Sequence, residues 1–105
     1  MKQYDIVIVN LNPTRGSEIK KTRPCVIISP NDINEFLKTL IVCPITSTSK
    51  NYPTRINFKL KGNKNSIAVD QIRTVDESRI TKKIGKLNKK TIKKIKGVLK
   101  ETFVN

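Results

Sequence analysis

From Asp5 to Leu87 the chain is punctuated too often for long helices to form. Short β-branched runs recur at intervals of roughly eight to twelve residues, each closed by Pro, Gly, Asn or Asp, the rhythm of a small, strongly bent sheet or barrel. Asp5 to Val9 (DIVIV) is the first strand and ends in Asn10-Leu11-Asn12-Pro13, a turn signal. A polar loop, Thr14 to Arg23, leads into Cys25 to Ser29 (CVIIS), closed by Pro30-Asn31-Asp32. Residues Asn31 to Lys38 can form one or two helical turns capped by Asn31 or Asp32. Thr39 to Ile45 (TLIVCPI) is continuously apolar, so both its faces should be covered, and Pro44 puts its end at an edge or bulge. After a polar loop, Thr46 to Pro53, the strictly alternating Arg55 to Leu60 reads as a half-buried strand. Lys61 to Asn65 is the expected hairpin turn, Ser66 to Val75 one long or two short strands, and Ile80 to Leu87 a further one.

The period then changes. Ile92, Ile95, Val98, Leu99 and Phe103 share one face of a helix, Lys89, Lys90, Lys93, Lys94, Lys96 and Lys100 fill much of the rest, and Asn88 is the N-cap. This helix should lie across the end of the barrel, with Gly97 marking close packing. The 105 residues suffice for one core, so a single domain over 1–105 is predicted. The fold class is α+β, mainly β: a compact barrel with a C-terminal α-helix.

Composition limits the chemistry. Histidine is absent, which removes His-dependent triads, acid–base pairs and zinc sites. Cys25 and Cys43 are too few for a four-thiolate site and lie in apolar strands, so they read as reduced core thiols, and neither metal nor cofactor is predicted. Lysine and arginine number 22 against 8 acidic residues, a net charge of +14 whose field attracts polyanions. Nucleic acid or an acidic protein is the expected partner, although 17 lysines beside 15 isoleucines and 10 asparagines also fit the codon bias of an AT-rich genome. The lysines do not alternate with large aromatics, as a membrane-surface helix requires, and no run of apolar residues can span a bilayer. No apolar signal stretch follows Met1-Lys2-Gln3-Tyr4-Asp5, so a cytoplasmic protein is expected.

Three loop constellations could carry function. In the first, Arg15-Gly16-Ser17-Glu18-Ile19-Lys20 runs to Thr22-Arg23-Pro24, and Arg23 at the loop–strand junction is placed for bidentate phosphate contact. The same arginine could simply pair with Glu18, which would then be an orienter rather than a proton acceptor. In the second, the hydroxyls of Thr46-Ser47-Thr48-Ser49, with Lys50, could donate to phosphate oxygens or be ordinary loop residues. Tyr52, in the same loop, could touch a base or anchor the loop. In the third, Asp70 and Gln71 belong to Asp70-Gln71-Ile72-Arg73-Thr74, where Asp70 is either a base or the partner of an arginine.

Taken in order, Asn12-Pro13-Thr14-x-Gly16-Ser17-Glu18, then Thr22-Arg23-Pro24 leading into VIIS-P, then CPITS, then VDQIRT at 69–74, resemble the MazF/PemK family of toxin endoribonucleases. The resemblance runs from Tyr4 to the C-terminal helix. It implies an SH3-like β-barrel that forms a homodimer and cuts single-stranded RNA, often mRNA, without a metal, giving a 2′,3′-cyclic phosphate and a 5′-hydroxyl and stopping translation. It also implies an acidic antitoxin as partner. By position, Arg23 resembles the family's essential arginine, Thr46 its partner hydroxyl and Glu18 a residue needed for activity in some members. Arg15, Ser17, Lys20, Ser47, Tyr52, Asp70 and Gln71 are then the candidate RNA contacts. Gyrase-poisoning toxins share this barrel but end in a Trp-containing tail, whereas this chain has no Trp. A non-catalytic RNA-binding barrel is the other alternative.

Overall fold

The structure is a computed structural model and describes residues 1–48 and 51–104. Seven strands appear: β1 (Asp5–Asn10), β2 (Thr22–Ile27), β3 (Thr39–Thr46), β4 (Arg55–Leu60), β5 (Asn63–Ala68), β6 (Arg73–Asp76) and β7 (Ile80–Lys86). Helix α1 (Asn31–Phe36) joins β2 to β3, helix α2 (Lys89–Phe103) closes the chain, and 3₁₀ turns occupy Val69–Gln71 and Glu77–Arg79. The strands follow the order β4-β5-β3-β2-β1-β7, with β6 also beside β3, and every pairing is antiparallel. Register shifts between Ile6 and Val7 and between Ile8 and Val9 mark irregularities in β1 against β7. Such bulges increase local twist and help curl a sheet. The result is a curled antiparallel half-barrel.

Its concave core gathers Ile6, Val26, Cys43, Ile45, Ile56, Ile67, Val69 and Leu87 around Ile95 of α2. Ile95 is fully buried and Ile92, Val98 and Leu99 pack beside it, so the helical periodicity found the right face. Full burial of such a side chain stabilises by about 1.5–3 kcal/mol, which is what holds α2 to the sheet. Asn88 caps the helix as expected, its Oδ1 accepting from Thr91 N at 2.8 Å. Phe103 departs from the expected face and is mostly exposed. Gly97 also departs: a Cβ there would meet nothing within 4 Å, so close packing does not explain it.

A second core covers the other face of β1–β2–β3, with Val7, Val9, Leu11, Cys25, Ile27, Leu40, Val42 and Val75 packed together and Ile19 and Ile80 against them. This accounts for the continuous apolar run of β3. Pro44 nevertheless does not mark a sheet edge, because β3 is central. It falls in the gap between the last β6 partner, at Val42, and the first β5 partner, at Ile45, where its missing N–H disturbs neither ladder.

Three boundaries differ from expectation. β2 begins at Thr22 rather than Cys25 because pairing with β1 runs through Asn10–Thr22, and it ends at Ile27 rather than Ser29. The β4–β5 turn is only Lys61-Gly62, both with positive φ, the two-residue geometry that matches strand twist. Helix α1 starts from Pro30 without a side-chain cap, since the Asn31 Oδ1 accepts instead from Gln3 N at 2.7 Å. Among the described residues no helix is long and apolar enough to cross a membrane.

Candidate functional site

The loop between β1 and β2 is built on its own backbone. Glu18 N donates to Arg15 O at 3.1 Å, and the Glu18 carboxylate returns the contact by accepting from Arg15 N at 2.5 Å. Gly16 takes φ +55 inside this turn, a conformation that disfavours residues with a Cβ. Ile19 fastens the loop to the second core. Leu11 N donates to Lys21 O at 3.0 Å and closes the loop at its base.

Gln71 reaches this loop from the 3₁₀ turn after β5. Its Oε1 accepts from Ile19 N at 2.8 Å and its Nε2 donates to Ser17 O at 3.2 Å. Ser17, Glu18, Ile19, Pro44, Asp70 and Gln71 surround a cleft of about 330 Å³. The first loop and the Asp70-Gln71 segment therefore meet around one cleft. Gln71, however, spends its amide on the loop backbone.

Arg23 lies inside β2, opposite Val9, rather than at a loop–strand junction. It does not pair with Glu18. Its Nε donates to Lys20 O at 3.2 Å, and among the described residues Nη1 and Nη2 have no protein acceptor. The ladder between β2 and β3 stops at Cys25 opposite Pro44. Continued by two residues, that register brings Arg23 level with Thr46. Thr46 is buried at the end of β3, and its hydroxyl oxygen accepts from Thr48 N at 3.2 Å. Ser66 braces the same corner, its hydroxyl donating to Thr48 O at 2.9 Å. Arg23 and Thr46 do not line the cleft themselves, although Pro44, the ladder partner of Cys25, does.

The remaining candidates divide sharply. Arg15, Ser17, Lys20 and Ser47 are exposed, whereas Ser49 and Lys50 lie outside the described residues. Asp70 belongs to an ion pair whose other member the sequence does not reveal. Arg55 meets it through Nε to Oδ1 at 2.7 Å and Nη2 to Oδ2 at 3.1 Å, and Thr54 adds a hydroxyl donor at 3.0 Å. The hydrogen-bonded Arg55 holds the Asp70 carboxyl below the usual carboxylate range, with Thr54 acting in the same direction. Tyr52, half-exposed, lies against Arg55 at 5.4 Å from guanidinium carbon to ring centroid. Arg55 had a visible signal, a cation three residues after an aromatic at the head of an alternating strand. Its pairing with residue 70 had none.

Cys25 and Cys43 are free and buried, and burial pushes both thiols up to about 12. Neither is a thiolate nucleophile at neutral pH. Among the described residues no three His, Cys, Asp or Glu side chains converge as metal ligands.

A sequence profile of PemK-like, MazF-like toxins of type II toxin–antitoxin systems matches residues 2–103. The chain belongs to this family. Endoribonuclease MazF of Staphylococcus saprophyticus is 33% identical over 105 residues, covering 94% of this chain and 88% of that protein. MazF from Deinococcus radiodurans superposes with a TM-score of 0.88 at 23% identity, over 100% of this chain and 97% of the other. A mycobacterial endoribonuclease, solved in complex with its cognate antitoxin, gives 0.84 at 17% identity over 99% and 95%. The last two likenesses establish the curled-sheet toxin fold.

Proposed function

We propose that this PemK/MazF-family toxin is a metal-independent endoribonuclease that cuts single-stranded RNA, mRNA included, and so inhibits translation in the cytoplasm. The observation that carries the reading is Arg23, whose guanidinium is fixed through Nε while its two Nη groups meet no acceptor among the described residues, on a β2–β3 register that leads towards Thr46. Such a fork is pre-organised for phosphate. RNA carries its own nucleophile, so the protein need only align the 2′-hydroxyl and stabilise charge as it attacks the adjacent phosphorus. The 2′-oxygen loses its proton and bonds to phosphorus, the bond to the 5′-oxygen breaks as that oxygen takes a proton from water, and the products are a 2′,3′-cyclic phosphate and a 5′-hydroxyl.

In this scheme Arg23 neutralises the phosphorane and Thr46 hydrogen-bonds a phosphate oxygen. Glu18 takes the 2′ proton through the carboxylate oxygen that does not hold Arg15 N. Asp70 is a poor base, because Arg55 and Thr54 occupy its oxygens. Arg15, Ser17, Lys20, Ser47 and Tyr52 contact the RNA directly. Gln71 and Asp70 hold the walls of the cleft. The working form is a homodimer, and the partner is an acidic antitoxin whose disordered segment orders against the same basic surface. The antitoxin complex of the mycobacterial relative supports that pairing.

The test is incubation of a long defined RNA with the protein in EDTA, followed by end mapping. Cleavage leaving 5′-hydroxyl ends is expected. A folded Arg23→Ala protein should be slower by about 10²–10³ or more, as when a charge aimed at the transition state is removed. Thr46→Ala should lose less, since a neutral hydrogen bond is weaker than a charged one. Full activity in Arg23→Ala would refute the scheme.

A further inference from the structure

Helix α2 breaks several local rules at once. Its first turn holds Lys89 and Lys90 and no acidic residue, so both cations face the positive end of the helix dipole. Lys89–Lys93, Lys90–Lys94 and Lys96–Lys100 are like-charge pairs at i, i+4, each repulsive. Glu101, the one acidic residue of the helix, has Gly97 and Val98 rather than lysines at the relieving positions. Gly97 weakens the helix interior, yet nothing within 4 Å of its missing Cβ requires it. Accumulated local conflicts of this kind mark functional surfaces.

Codon bias raises lysine everywhere, but it does not sort the charges. Half of the acidic residues, Asp32, Glu35, Asp76 and Glu77, sit on α1 or next to the Glu77–Arg79 turn. These two segments are tied together by Glu77 N donating to Lys38 O at 2.9 Å. Helix α2 packs instead against β4 and the Val69–Gln71 turn.

Between β4 and α2 runs a groove of about 730 Å³ with Arg55 on one wall, Lys93, Lys94 and, further along the helix, Glu101 on the other, and Gly97 leaving the helix backbone uncovered. Arg55 lines this groove while its partner Asp70 lines the loop cleft, so their ion pair is the wall the two share. Tyr52 caps that wall with a half-exposed ring. A strand leaving the cleft would cross an aromatic stacking surface and then meet a row of cations, the combination that single-stranded nucleic acid requires.

We propose that the β4–α2 groove binds the backbone of single-stranded RNA flanking the cleavage position, with Lys93 and Lys94 on phosphates and Tyr52 under a base. The inference rests on the ribonuclease reading for its ligand. A polyanion laid there relieves the lysine repulsion that the free helix carries, and Gly97 lets it approach the backbone.

The test compares Lys93→Glu/Lys94→Glu with the parent protein on two RNAs, a minimal oligonucleotide around the preferred site and the same site within long flanks. Binding is read by fluorescence anisotropy with 2′-O-methylated RNA, which cannot be cut. The Kd ratio favouring the long RNA should fall about tenfold, and the log–log salt slope for the long RNA should fall by about 1.4, roughly 0.7 for each phosphate left without its lysine. Matched reversals at Lys61 and Lys64 on the β4–β5 hairpin should leave that ratio within twofold. An equal weakening on both RNAs, or the same ratio change from the hairpin reversals, would overturn the proposal. So would an unchanged ratio accompanied by weaker binding of the antitoxin, which would assign the groove to a protein. Should the unmodified RNA not be cut while the ratio still falls, the groove stands and the ribonuclease reading fails.

Discussion

Gln71→Ala tests how the first loop is held. In the protein this one amide ties residue 71 to Ile19 and Ser17, more than fifty positions earlier in the chain. The two bonds are not equivalent. Ser17 is exposed, so water replaces the missing donor at its carbonyl at little cost. Ile19 is half-buried, and its N–H would be left without an acceptor in a place water reaches poorly. A fully buried orphan costs about 1–3 kcal/mol, so half burial points to about 1 kcal/mol. That energy opens the loop about fivefold more often, and it lowers Tm by about 4–8 °C if taken from the global stability of a domain this small. The direct readout is amide exchange at Ile19, which should accelerate about fivefold while core amides of β1 and β2 do not change. Because Lys20 O orients Arg23, RNA cleavage should slow with the loosened loop. Gln71→Glu retains an oxygen for Ile19 N, so it should preserve most of the protection. Unchanged exchange at Ile19 in folded Gln71→Ala would refute the latch, and weakened RNA binding in that same protein would return Gln71 to direct contact.

Two further outcomes concern pH. Arg55 holds the Asp70 carboxyl low, so the folded state binds fewer protons than the unfolded one near pH 4. The resulting stabilisation is complete above the unfolded value of about 3.9 and is lost as pH falls through the lower folded value. Urea unfolding of Asp70→Asn between pH 2 and 6 should show a shallower acid limb, and an unchanged limb would refute the ion pair's role. For cleavage, the chain has no histidine, arginine side chains in general remain protonated in proteins, and burial pushes both thiols up to about 12. Single-turnover rates in EDTA at fixed ionic strength should therefore show no bell between about pH 6 and 8. A sharp bell near pH 6.5–7 would mean a carboxylate with a strongly raised pKa acts as the acid–base catalyst.

Why some of this was legible in sequence and some was not follows from the range of the interactions. The runs at Asp5, Arg55 and Ile80 announce strands because β-branching and alternation are written in adjacent residues. The α2 face is legible for the same reason, as Ile92 and Ile95 repeat within one turn of helix. Thr22 and Arg23 do not announce a strand: they are extended because β1 pairs with them, and a partner twelve or more residues away leaves no mark in local composition. Pro24 reinforced the misreading, since proline is an ordinary strand breaker unless its missing N–H falls where no ladder bond is needed.

The polar residues were harder still. Spacing nominated Arg23, Glu18, Asp70 and Gln71 alike, since all are polar side chains near strand ends. Their roles separate only when the register is known. The β4–β5 hairpin sets Arg55 opposite Ala68, and the turn that follows swings Asp70 back onto its guanidinium. The same turn aims Gln71 at the loop backbone. Both side chains are thereby consumed by the fold, whereas among the described residues Arg23 keeps donors to spare. A group already saturated by protein partners must give up bonds before it can serve a phosphate, whereas an anchored arginine whose Nη groups meet no acceptor among the described residues gives up only water. The resemblance of Arg23 to the family arginine and its unspent hydrogen-bonding capacity are thus independent reasons for the same assignment, and Asp70 has only the first.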